Sequence, residues 1–180
     1  MLCSPMPFTI KQQGVLAGMI LGGSISLALI LTGCLFNPFA FGPALPVLAR
    51  VEVLFDSMLP VGLLLVFAIG RQAKHRFQSA DIDGGGLHQD LQKTIFLQSL
   101  LQNTLEQTVV AAVVYGAWAI VMPSSWLSVV PLASTSFCAG RVLFFARYQK
   151  GAPGRALGFA LTFYPSVFML LFLITHQLIS

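Results

Sequence analysis

The chain has 180 residues, carries ten Lys and Arg against six Asp and Glu for a formal charge of +4, and is 56% hydrophobic but only 9% charged. Its mean hydropathy of +0.83 excludes a water-facing surface, so an all-α integral membrane bundle is expected. The cations edge apolar runs and build no basic face interleaved with aromatics, which excludes nucleic acid as an expected partner.

Crossing roughly 30 Å of hydrocarbon takes about 20 helical residues. Five stretches qualify, at about 14–36, 51–70, 94–121, 126–148 and 155–179. The first has two readings. Leu31-Thr32-Gly33-Cys34 after Lys11 and an apolar run resembles a lipoprotein cleavage box, whereas Gly14, Gly18 and Gly22 form a small-xxx-small face suited to helix packing in a retained span. The chain therefore divides into a hydrophobic segment and loop at 1–50 and a four-helix membrane domain at 51–180. Between spans lie Asn37-Pro38 with Pro43 and Pro46, a polar run from Arg71 to Lys93, Pro123-Ser124-Ser125, and Gly151-Ala152-Pro153-Gly154, all expected as turns or loops. Alternating spans put Lys11, Arg71, Lys74, Arg76, Lys93, Arg147, Lys150 and Arg155 on one side and Arg50 alone on the other. The positive-inside rule makes the basic side cytoplasmic.

Ionisable groups at membrane depth are costly and mark sites. In the third span Ser99, Asn103 and Glu106 are spaced by four and three, hence on one face, flanked by Gln102 and Gln107. In the fourth, Arg141, Phe144 and Tyr148 again share a face. At about 1.5 Å per residue, Glu106 and Arg141 reach similar depths in the cytoplasmic half, which makes them the expected ion pair. Arg155 is expected to follow a Pro/Gly break, open the last span, and share a pocket with Tyr148. A plainer reading is that Asn103, Glu106 and Arg141 only hold two helices together.

These residues resemble the MAPEG family, the membrane-associated proteins of eicosanoid and glutathione metabolism. The resemblance runs from about Val51 to Ile179. It rests on Gly70-Arg71-Gln72-Ala73-Lys74-His75-Arg76, on Gln102-Asn103-Thr104-Leu105-Glu106, and on Arg141, Tyr148 and Arg155 at successive spacings of seven. It implies a four-helix core, to which this chain adds one N-terminal hydrophobic segment, and a homotrimer binding glutathione between subunits. The resemblance is to a bacterial-type member, expected in the bacterial inner membrane, where the Lys/Arg bias has the site face the cytoplasm. By the same resemblance Asn103, Glu106, Arg141 and Tyr148 would bind glutathione. Arg155 would be catalytic, stabilising the thiolate for a transferase or peroxidase reaction on a hydrophobic small molecule or lipid. Ser99 stands where members often carry Arg, and Phe144 where Tyr is common. These two positions motivate an alternative, a non-catalytic MAPEG-like protein that binds a lipid or a protein partner. A small transporter ranks behind both, since no inverted repeat is visible.

Other features read as structural. Glu52 and Asp56 suit a solvated helix start. His75 and His88, with Asp81, Asp83 and Asp90, are expected in a solvated loop without metal-ligand spacing, and Asp83-Gly84-Gly85-Gly86 reads as a flexible turn. Cys3, Cys34 and Cys138 have the spacing of neither a metal site nor a disulfide framework.

Overall fold

Thr9 opens the first helix with a capping box. Its side chain accepts the Gln12 backbone N–H at 3.3 Å while its own N–H donates to the Gln12 side chain at 2.8 Å. The helix ends where Asn37 takes a left-handed conformation, φ 42°. In this computed structural model, which describes residues 8–80, 82 and 91–179, that element is α1 (Ile10–Phe36). It is followed by α2 (Val47–Phe77), α3 (Leu91–Val121), α4 (Val129–Arg147) and α5 (Gly151–Ile179), with short 3₁₀ turns at Ser124–Trp126 and Tyr148–Lys150. The described residues contain no strand. Four stretches are long and apolar enough to cross a membrane: Ile10–Phe36, Val47–Phe77, Gln92–Val121 and Ser124–Ile179. The last contains both α4 and α5, which fold back on one another. The molecule is an all-helical membrane bundle.

Helix ends differ from expectation at two places. The polar run from Arg71 to Lys93 shrinks, because α2 continues to Phe77 and α3 already begins at Leu91. Lys74, His75 and Arg76 form the last turn of α2, where cations offset the negative end of the helix dipole. His75 is consequently buried, with Nε2 3.1 Å from Thr94 Oγ1 on α3, and solvent is not its neighbour. His88, Cys3, Asp81, Asp83 and Asp90, with the Gly84–Gly86 turn, lie outside the described residues. The second difference is the expected loop at 151–154, which is the first turn of α5. Pro153 is tolerated there because the first helical N–H groups have no intrahelical acceptor to lose. The chain reverses instead through Tyr148–Lys150 and Gly151, whose φ of 78° and ψ of −171° only glycine adopts without strain.

The sequence-level small face of α1 packs on α5. A β-carbon on Gly14 would lie 2.9 Å from Pro153 Cβ, on Gly18 2.8 Å from Ala156 Cβ, and on Gly22 2.3 Å from Ala160 Cβ. Close backbone approach replaces side-chain interdigitation here, as expected in lipid where dispersion rather than water exclusion joins helices. Gly140 and Gly158 make a similar crossing between α4 and α5. At the opposite end, where Arg50 stands apart from the other cations, the loops are knit together. Ser128 Oγ donates to Asn37 Oδ1 at 2.6 Å, Asn37 Nδ2 donates to the Phe41 carbonyl at 2.8 Å, and Arg50 donates to the Met122 carbonyl. Trp118, fully buried, stacks on Trp126 and donates Nε1–H to its carbonyl at 3.0 Å.

Gly22→Val should therefore cost about 1–3 kcal/mol through overpacking. Leu21→Val on the exposed face, 51% accessible, should cost far less. Thermal unfolding in detergent distinguishes the two, and equal melting temperatures would contradict the packing described.

Candidate functional site

The α3 face found by spacing points into a cavity of about 510 Å³ at the basic end of the bundle. Ser99, Gln102, Asn103 and Glu106 form its polar wall. Further lining comes from Phe144 in the last turn of α4, Tyr148 in the 3₁₀ turn that follows it, and Ala152, Arg155, Ala156 and Phe159 of α5. Val15 and Met19 of α1 also line it. The volume falls within the usual range for small-molecule sites.

Four of the five residues singled out in the sequence, Asn103, Glu106, Tyr148 and Arg155, line this cavity. Arg155 shares it with Tyr148 as expected, its guanidinium carbon 4.5 Å from the Tyr148 ring centroid. That ring is held edge-on by Phe96 at 5.1 Å and Phe144 at 5.2 Å, so the platform under the guanidinium is fixed by packing. Arg155 makes no ion pair among the described residues, leaving its charge available to the cavity.

The fifth, Arg141, is fully buried and does not line the cavity. Its expected ion pair with Glu106 is not formed. Arg141 donates from Nη1 to Asn103 Oδ1 at 2.7 Å and from Nη2 to Thr162 Oγ1 at 2.6 Å. Thr162 on α5 draws the guanidinium behind Asn103, while Phe144 covers it at 4.5 Å from the ring centroid. Glu106, three residues further along α3, stays exposed to the cavity and accepts from Gln102 Nε2 at 3.1 Å. Arg141 therefore fixes the Asn103 side chain by an arginine-to-amide bond, with its charge desolvated between three helices.

Several lining residues escaped sequence reasoning. Phe159, which lines the cavity, and Thr162, which lies behind it as the partner of Arg141, follow Arg155 on α5 at spacings of four and three, the same signal that exposed the α3 face. Val15 and Met19 also lie four apart, but they are apolar among apolar neighbours and give no polar signal. Glu52 and Asp56 are exposed on α2.

Fold and site together define a helical membrane protein with a charged pocket sunk into one end of its bundle. Residues 57–175 match the model of the MAPEG family. The chain belongs to that family, whose members are membrane proteins of glutathione and eicosanoid metabolism. The match spans most of α2 through α5 and leaves α1 outside it. No curated protein and no solved structure matches the chain.

Proposed function

We propose that the protein is a glutathione-dependent membrane transferase or peroxidase acting on hydrophobic electrophiles. The observation that carries this reading is Arg155, a guanidinium with no ion-pair partner among the described residues, lining a cavity that also holds Asn103, Glu106 and Tyr148. The donor set suits the tripeptide in part. Glu106 matches an ammonium, the amides of Gln102 and Asn103 match peptide groups, and Arg155 is the cavity's cation. Ser99 offers a hydroxyl where a second cation would hold a carboxylate more firmly.

Glutathione, when bound, supplies the nucleophilic sulfur. Arg155 favours its ionised form, as a cation beside a thiol does. Tyr148 keeps the guanidinium in place by stacking, and Arg141 orients the Asn103 amide from behind. Phe144, Phe159 and the α1 side chains keep water from the reacting end. Homotrimer assembly, an inner-membrane location and a cytoplasmic opening of the pocket belong to the same proposal, the last supported by the cations that ring the pocket's end of the bundle.

A second reading, a non-catalytic family member that binds a lipid or a protein partner, is favoured by Ser99 and Phe144, which remove a cation and a hydroxyl from the site. Calorimetry with glutathione in detergent separates the two. Saturable binding by the wild type, weakened at least tenfold in Glu106→Ala and in Arg155→Ala, is expected for charge-assisted contacts of about 1.5–3 kcal/mol each. A folded wild type that takes up no glutathione would leave the second reading.

A further inference from the structure

Two hollows meet on α1. The polar cavity takes Val15 and Met19 from it, and a second hollow of about 350 Å³ is lined by Phe8, Lys11, Gln12, Leu16 and three residues it shares with the cavity, Val15, Met19 and Ala152. Those three side chains border both a chamber bearing a carboxylate and a guanidinium and a groove whose lining surface is almost wholly apolar. The groove follows α1 toward its first turn, and Lys11 stands among its lining residues. Around it α1 presents Ile10, Leu16 and Ile20 outward, 88%, 43% and 61% accessible, a surface that a membrane covers with acyl chains.

We propose that Val15 and Met19 are specificity-determining residues, which thread the alkyl chain of a single-chain electrophile along the α1 groove and leave its reactive end in the cavity beside Arg155. The inference rests on the glutathione reading above and adds the shape of the second substrate. Continuity selects the occupant, because one molecule with a polar reactive head and an unbranched tail fills both hollows, whereas a compact aromatic electrophile fills only the first. A long-chain 2-alkenal has this form. In its conjugation the sulfur–carbon bond forms at the β-carbon, the carbon–carbon π bond is lost, and the α-carbon gains one proton in exchange for that released by the thiol. Nothing is expelled, oxidised or reduced. Arg155 faces the incoming sulfur, and Met19, unbranched and adaptable, suits a wall against which a flexible chain must slide.

Chain-length preference tests this. The ratio of kcat/KM for 2-dodecenal over 2-hexenal, with glutathione, is measured for the wild type, Met19→Trp, Met19→Ala and the control Ile20→Ala. Blocking the groove with Met19→Trp should lower the ratio by about tenfold or more, in line with the discrimination that hydrophobic pockets achieve per methylene. Ile20→Ala should leave it unchanged, and because Met19 also borders the glutathione cavity, the affinity of each variant for glutathione is measured beside its ratio, which compares two aldehydes on one protein and so cancels any effect common to both. An unchanged ratio in both Met19 variants, with turnover and glutathione binding intact, overturns the proposal and not the reading beneath it.

Should the wild type bind no glutathione or fail to turn over, a 2-dodecenal carrying a terminal diazirine gives an independent readout. Photolabelling that excess 2-dodecenal suppresses, that maps to residues 8–19, and that Met19→Trp abolishes supports the groove. Suppressible labelling confined to other helices, or none at all, overturns it.

Discussion

Arg155→Ala is expected to lower the rate of glutathione conjugation at neutral pH by about 10²–10³-fold, the usual cost of removing one preorganised group that stabilises developing or resident negative charge. The loss should be pH-dependent in a way that a folding defect would not reproduce. Without the guanidinium the bound thiol ionises as an ordinary thiol, at roughly pH 8.5. The rate of the variant should therefore climb with pH through that range, while the wild type, already ionised, stays nearly flat. The gap between the two closes from below. Arg155→Lys restores a point charge but not the flat cation stacked on Tyr148, so partial recovery is expected. A pH–rate profile of kcat/KM for the three proteins checks this. Parallel profiles offset by a constant factor would show that Arg155 holds substrate without influencing the thiol.

Arg141→Ala is expected to cause the largest loss of stability among substitutions near the site. The residue is fully buried and makes charge-assisted hydrogen bonds at 2.7 and 2.6 Å to two other helices. Its loss removes both bonds and leaves a void between α3, α4 and α5. A cost of about 3 kcal/mol or more follows from bonds of this type. The two acceptors differ in what they lose. Thr162 keeps its donation to the Phe159 carbonyl at 2.8 Å, whereas Asn103 Oδ1 has no other donor among the described residues and turns free toward the cavity. Thermal unfolding in detergent should show the loss of stability, and calorimetry should show weaker glutathione binding even where the fold survives. Arg141→Met, which retains volume, should recover part of the stability and none of the binding. Equal recovery of both would mean that Arg141 acts through packing alone.

Much of this arrangement is legible in the chain. Apolar runs of span length mark every long helix, and the spacing of Ser99, Asn103 and Glu106 reveals the polar wall because charged and amide groups are costly within a membrane and cluster where a neighbour or a ligand satisfies them. The spacing of sevens among Arg141, Tyr148 and Arg155 similarly places all three at one end of the bundle. Partner choice is less legible. Glu106 and Arg141 have matching depth and opposite charge, yet Arg141 binds a neutral amide and a threonine hydroxyl, because depth says nothing about which side of α3 the arginine passes. Helix ends were misplaced for a related reason. Lys74, His75, Arg76 and Pro153 look like loop residues by composition, but all are acceptable in a terminal turn. The packing of α1 is legible in Gly14, Gly18 and Gly22, but its share of the cavity is not, since Val15 and Met19 differ in no visible way from residues that face lipid.

Along α1 two neighbouring registers obey different rules. Gly14, Gly18 and Gly22 meet α5 so closely that adding one methyl forces a clash, so that face admits almost no variation. Val15 and Met19, one position further around the helix, border open space and can change size without disturbing how the helix is seated. The seam that holds α1 in place is thereby uncoupled from the surface that shapes the pocket. A lineage of such proteins could retune what the pocket accepts through exchanges at two apolar positions, each nearly neutral for folding, and leave the charged residues of α3 and α5 untouched.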